Sequence, residues 1–202
     1  MSLRLVEKGA EANLYRENGK LIKERIKKDY RIQELDLRLR RSRTKREGKL
    51  LERARRSGIH TPRIHETDLK KFTIKMEFVD GKLLRDLISE IDDLELNRLS
   101  VMMGSEIAKM HNSNIIHNDL TTSNIILYND RLYFIDFGLG LISGRIEEKA
   151  TDLVVLKKSL KSAHNEKFDL IWNGILKGYK NADRYSEIIK RINTIEKRAR
   201  YT

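Results

Sequence analysis

Two motifs one hairpin apart constrain this chain more than any other feature of it. The first is His117-Asn118-Asp119-Leu120-Thr121-Thr122-Ser123-Asn124 and the second is Asp136-Phe137-Gly138. Between them, Ile125 to Tyr128 and Leu132 to Ile135 read as short apolar strands with a turn at Asn129-Asp130. A hairpin returns the chain to its starting point, so Asp136 comes back beside the loop that carries Asp119 and Asn124. In that placement Asp119 faces the end of a polyphosphate as a base or orienting carboxylate, while Asn124 and Asp136 offer oxygens to magnesium. The bland alternative, polar loop residues and a turn-capping Asp136, leaves the joint spacing unexplained. Binding of a metal-bound nucleotide is the working reading.

This order of motifs resembles that of the protein kinases, which implies an α+β, two-lobed fold. On that frame residues 1–79 form an N-lobe, a β-sheet with one regulatory helix and a basic insertion. Residues 80–202 form a reduced helical C-lobe with the two motifs and a basic tail. Leu3 to Val6 predicts a strand, Gly9-Ala10-Glu11-Ala12 a tight turn, and Asn13 to Arg16 an extended return. That turn stands where a glycine-rich loop covers phosphates, with Gly9 the one glycine left of Gly-x-Gly-x-x-Gly; a plain hairpin turn is the alternative. After Asn18-Gly19, Lys23 follows two apolar residues as the lysine of Val-Ala-Ile-Lys does, which puts it on the α- and β-phosphates. Lys20, nearer the turn, is the competing lysine.

Residues 26–41 read as a basic docking arm between strand and helix. Ser42 or Thr44 is expected to cap that helix, Thr44 and Glu47 fitting Thr-x-x-Glu, with Leu50, Leu51 and Ala54 on its apolar side and an end near Ser57-Gly58. Glu47 is the chosen ion-pair partner of Lys23 and Glu52 the alternative; such a carboxylate keeps the lysine against the phosphates. Thr61 to Ile64 and Phe72 to Val79 predict two further strands. The backbone of Glu77, Phe78 and Val79 would then read the adenine edge, just ahead of a hinge at Asp80-Gly81.

Beyond the hinge the period becomes helical, through Leu83 to Ile88 and then Leu94 to His111, where Leu96, Leu99, Met103, Ile107 and Met110 recur at three- and four-residue steps. After Gly138 the chain enters a helix over Ile146 to Leu160, with no Ala-Pro-Glu and no room for a long activation segment. Asp152 in this helix either braces the backbone around His117 from a buried position or faces solvent; both readings stand. Two last helices run through Phe168 to Leu176 and Tyr185 to Ile195, ahead of the tail Lys197-Arg198-Ala199-Arg200-Tyr201-Thr202.

Charge adds a partner. The net +12 is concentrated in residues 16–56, with 17 Lys/Arg against 7 Asp/Glu, and in residues 189–202, with 5 against 1. A basic N-terminal half and tail around a nearly neutral body are the footprint of a protein that meets a phosphate-rich polymer; a solvated helical face is the alternative. The absence of Cys excludes disulfides and thiolate metal sites, and points to a reducing compartment. No apolar run reaches membrane-spanning length and Met1 to Lys8 lacks a signal core, so the chain reads as cytoplasmic.

With these residues in hand, the chain resembles the PRPK family, the small atypical kinase subunit of KEOPS/EKC complexes, over nearly its whole length. The resemblance rests on Gly9-Ala10-Glu11-Ala12, the basic run before the helix, Asp119-Leu120-Thr121-Thr122-Ser123-Asn124, Asp136-Phe137-Gly138-Leu139-Gly140, the abrupt cut after it and the arginine-bearing tail. It implies ATP and magnesium, with ATP hydrolysis or serine phosphorylation. It also implies a place in the threonylcarbamoyl modification of tRNA, with the threonylcarbamoyl-transferase subunit of KEOPS and a small subunit on the N-lobe as partners. Two residues depart. Asn118 stands where the family has Gly and most protein kinases have Arg, so no phosphorylated activation loop has a partner here. Thr121 replaces the Lys that neutralises a transferred phosphate, which implies slow transfer to protein substrates. A free-standing protein or small-molecule kinase, and a basic RNA-binding scaffold with a vestigial nucleotide site, are the two alternatives.

Overall fold

The structure, a computed structural model, describes residues 3–198. The N-terminal part is an antiparallel sheet of β1 (Arg4–Lys8), β2 (Ala12–Glu17), β3 (Lys20–Arg25), β4 (Ile64–Asp68) and β5 (Thr73–Glu77), in the order β1-β2-β3-β5-β4. Asn18 and Gly19, at φ 50° and 72°, turn β2 into β3 with both central residues left-handed, the hairpin geometry that matches strand twist. Lys23 pairs Leu14 on one side and Ile74 on the other, so it leaves the sheet from a central strand. Side chains alternate along a strand, and Arg25 therefore shares its face.

Helix α1 (Gln33–Arg56) crosses behind this sheet. It starts well ahead of Thr44, which corrects two expectations. Thr44 is buried inside the helix and its hydroxyl donates to the Arg40 carbonyl at 2.8 Å, so neither it nor Ser42 is a cap. The supposed arm is helical from Gln33 onward, leaving only residues 26–32 as connection. Nothing from Gln33 to Arg41 breaks a helix, and buried Asp36 anchors it by accepting from Arg40 Nε at 2.7 Å and the Lys28 amide at 3.2 Å. The helix ends as expected, at Ser57 with Gly58 left-handed behind it (φ 80°). Of the two further strands, the first lies later in the chain than expected, overlapping Thr61 to Ile64 only at Ile64, and the second is shorter than Phe72 to Val79. Thr61 and Pro62 precede β4, the Thr61 hydroxyl donating to the Leu51 carbonyl, and Phe72 lies left-handed (φ 57°) outside β5.

The second part runs β6 (Lys82–Leu83), the single turn α2 (Leu84–Leu87), α3 (Asp93–Asn112), β7 (Ile115–Ile116), β8 (Ile125–Tyr128), β9 (Arg131–Phe134), β10 (Leu141–Ile142), α4 (Ile146–Ala163), α5 (Phe168–Tyr179) and α6 (Tyr185–Arg198). Asp92 caps α3 by accepting from the Glu95 amide. The apolar stripe of α3 is buried against Ile171 and Ile175 of α5, with Leu153 and Leu156 of α4 in the same core. The contact of α3 with α5 is close enough to need glycine. A Cβ on Gly104 would stand 2.0 Å from the Ile175 carbonyl oxygen, and one on Gly178 2.0 Å from that of Val101. Among the described residues no helix is long and apolar enough to cross a membrane.

Candidate nucleotide site

The hairpin of β8 and β9 closes directly on both motifs. Asn129 and Asp130 turn it at φ 47° and 60°, and at its open end the Ile135 amide donates to the Asn124 carbonyl at 3.0 Å. Asn124 Nδ2 donates to the Asp119 carbonyl at 2.8 Å and to Asp119 Oδ2 at 3.0 Å, which leaves its amide oxygen for other partners. Asp136 sits left-handed at φ 60° and ψ 65°, its carboxylate accepting from the Gly138 amide at 3.3 Å. That carboxylate also meets Lys23.

Lys23 is 8% exposed, and its Nζ lies 2.7 Å from Glu47 Oε1 and 2.7 Å from Asp136 Oδ1. Burial opposes its charge, but the carboxylates of Glu47 and Asp136 outweigh it and hold the ammonium above its ordinary range. Asp136 shows the converse. Desolvation pushes its carboxyl up, yet Lys23, the nearby Arg25 and the Gly138 amide together hold it below the usual value. Glu47, not Glu52, meets Lys23; Glu52 is exposed and pairs Arg56 at 3.9 Å.

His117 is buried and ties the motifs together. Its Nε2 faces the Ile135 carbonyl at 2.9 Å and its Nδ1 accepts from the Asp119 amide at 3.3 Å, which fixes the proton on Nε2. Asn118 has φ 62°, a conformation open to Gly and Asn and costly for most residues, so Asn suits this backbone. Asp152 takes the buried alternative. It is fully enclosed, and its two oxygens accept from the His117 amide at 2.8 Å and the Asn118 amide at 2.7 Å.

The remaining expected residues are less direct. Gly9 has its amide bonded to the Ala12 carbonyl at 3.0 Å, and a Cβ there would stand 2.8 Å from that oxygen, so the glycine shapes the turn and its N–H is occupied. The Glu77 amide donates to the Arg63 carbonyl at 2.8 Å, so its N–H is occupied within the sheet. Phe78 lies under the Arg16 guanidinium, 3.9 Å from its ring centroid, and Val79 is buried.

Sequence reasoning missed four residues. Arg25, 6% exposed, places Nη2 2.5 Å from Glu47 Oε2; its position two after Lys23 on one strand was the available signal. His111 and Tyr179 extend the Asp152 brace, His111 Nε2 lying 3.2 Å from Asp152 and Nδ1 2.6 Å from the Tyr179 hydroxyl. Burial and Asp152 push the Tyr179 phenol above its usual range, so it remains a donor. His164 Nε2 lies 2.9 Å from the hydroxyl of Thr122 in the Asp119 loop, and burial lowers its pKa. A depressed histidine pKa means the unfolded chain takes up its proton first. Stability is therefore full above about pH 6.5 and falls as pH drops toward the folded pKa. His60, lowered by burial too, acts in the same direction. His164→Gln should thus flatten, without abolishing, the fall in the urea midpoint between about pH 7 and 5; an unaltered profile would remove His164 from this account.

The RIO domain family matches residues 11–144, a span that takes in Lys23, Glu47 and both motifs. The chain belongs to the RIO-domain family. The KEOPS complex subunit Bud32 of Pyrococcus abyssi is 39% identical over 98% of this chain and 96% of its own length, so the chain belongs to that subunit's family also. The probable bifunctional tRNA threonylcarbamoyladenosine biosynthesis protein of Methanocaldococcus jannaschii is 45% identical over 98% of this chain, which spans 37% of that longer protein. In fold, the RIO chain is similar to the Rio2 kinase–ADP/Mg2+–phosphoaspartate complex from Chaetomium thermophilum, with a TM-score of 0.66 at 15% identity, covering 100% of this chain and 72% of the other. It is also similar to WaaP in complex with acyl carrier protein, with a TM-score of 0.64 at 15% identity, covering 98% and 88%.

Proposed function

We propose that the chain is a magnesium- and ATP-dependent atypical Ser/Thr kinase or ATPase, acting as the kinase-like subunit of a KEOPS assembly in threonylcarbamoylation of tRNA at adenosine 37. The observation that carries this reading is the double contact of Lys23 with Glu47 and Asp136, 2.7 Å each, opposite the Asp119–Asn124 pair. The donor chemistry fits magnesium. The Asp136 side chain is 44% exposed despite its ion pair, and with the Asn124 amide oxygen it makes the sparse set of hard oxygens to which magnesium adds waters and phosphates. Bound magnesium neutralises phosphate charge. Lys23 grips the phosphates and Asp119 orients the attacking hydroxyl or water, while the backbone between Phe78 and Val79 borders the base. His117 and Asp152 hold the loop rigid, in the manner that catalysis by positioning requires.

Polyanion binding finds a rigid surface on α1. Arg38, Arg41, Lys45, Arg46 and Lys49 are exposed there, without a hydrogen bond or ion pair to another side chain among the described residues. In the reading proposed, these cations, with Lys197 and the tail, meet tRNA; Ala199, Arg200, Tyr201 and Thr202 lie outside the described residues. The threonylcarbamoyl-transferase subunit and a small subunit on the N-lobe complete the proposed partners. Replacing Arg38, Arg41 and Lys45 by Ala should reduce the salt slope of tRNA binding by about 2–3, near one for each phosphate left without its cation. Phosphate release measured with and without tRNA and the transferase subunit tests the role as a whole. Turnover that responds to neither would favour the free-standing enzyme, and none under any condition the basic scaffold.

A further inference from the structure

Glu47 is 1% exposed and touches two cations where a lysine-glutamate pair needs only one. Lys23 Nζ holds Oε1 at 2.7 Å and Arg25 Nη2 holds Oε2 at 2.5 Å. Lys23 is itself shared with Asp136, so Asp136, Lys23, Glu47 and Arg25 form one alternating row of two negative and two positive groups. Arg25 is buried, and its Nε finds no acceptor among the described residues. Its Nη2 occupies the space a side chain at position 138 would take, 2.5 Å from a Cβ built on Gly138. A guanidinium kept there with one donor unpaired is costly to fold.

On the nucleotide reading above, Lys23 turns toward phosphate oxygens when ATP enters and Asp136 turns toward the metal. The move of Lys23 loosens its hold on Glu47, and a buried carboxylate left without a cation is strongly destabilising. We propose that Arg25 is a positioning residue for this site: it keeps Glu47 compensated while Lys23 serves the phosphates, and by packing on Gly138 it keeps Asp136 and α1 in register. The device needs no phosphorylated loop, in keeping with an Asn at position 118. It needs the reach of Arg, because Nη2 both meets Glu47 and lies against Gly138, and the ammonium of a lysine, one bond shorter, stops short of that place.

The test is a double-mutant cycle of Arg25→Met and Glu47→Gln in the whole chain, read by calorimetric binding of Mg-ADP, by kcat and KM for ATP, and by urea midpoint without nucleotide. Arg25→Met should weaken Mg-ADP binding about tenfold and lower kcat about tenfold to a hundredfold. In the Glu47→Gln background it should add nothing, since a neutral residue 47 needs no counter-charge. Arg25→Lys should stay nearer to Arg25→Met than to the parent in kcat. Independent effects that multiply, or a parent-like Arg25→Met, would overturn the proposal. Should Arg25→Met not fold, Arg25→Gln takes its place in the cycle. If the parent neither binds Mg-ADP nor turns over ATP, the nucleotide reading fails by itself; the urea cycle still decides the pairing, additive midpoints overturning it and non-additive ones upholding it.

Discussion

Asp136→Ala should lower ATP turnover by about a thousandfold or more, the scale of losing a fixed charge that acts on the transferred phosphate. Asp136 presents a partly open carboxylate beside Lys23, and among the described residues no other Asp or Glu pairs with that lysine except Glu47. On the proposed reading, removing it takes away the carboxylate offered to magnesium and leaves Lys23 drawn to Glu47 alone. Asp119→Ala should be comparably inactive by a different route, the loss of the group that orients the attacking oxygen. The two are distinguishable. Asp136→Ala should lose the magnesium dependence of nucleotide binding, while Asp119→Ala should keep it, both measured by calorimetry alongside phosphate release. Turnover surviving in both variants would show that the catalytic assignment is wrong.

The second large effect is expected far from the phosphates. Asp152→Ala leaves the buried His117 amide, the partly buried Asn118 amide and one nitrogen of buried His111 without their acceptor. Each orphaned backbone donor costs about 1–3 kcal/mol, so a decrease of about 2–5 kcal/mol in urea unfolding is predicted. Asn118 is left-handed, and without the brace that conformation is no longer enforced, so kcat should fall as well. Amide exchange at His117 and Asn118 should rise well above that of neighbours in α3. Asp152→Asn keeps one acceptor and should fall between. Parent-like stability in Asp152→Ala would mean that the loop is held by other groups.

The hairpin and its two motifs were legible because each residue there answers a local demand: a two-residue turn at Asn129-Asp130 and apolar positions between. Lys23 and Glu47 were legible by order in the chain. What was not legible depends on distant partners. The start of α1 was missed because Thr44 and Glu47 mimic a cap, and only buried Asp36, paired with Arg40, shows that the helix already exists there. The side on which Asp152 falls depends on α4 packing against the loop, and the need for Gly104 and Gly178 on how closely α3 meets α5. Nor does a strand pattern tell which of several lysines and arginines turns inward, which is why Arg25 escaped notice. Asn118 was read as a departure, and its left-handed backbone is one that Asn suits.

The account stands on Asp136 and Asn124 turning their oxygens to one cation beside a triphosphate. A crystal structure of the chain with magnesium and a non-hydrolysable ATP analogue measures this directly. The predicted result is one cation about 2.1 Å from an Asp136 carboxylate oxygen and the Asn124 amide oxygen, with Lys23 on the phosphates. Asp136 and Asn124 facing away from each other, or the cleft closed by side chains with nucleotide bound elsewhere, would contradict it.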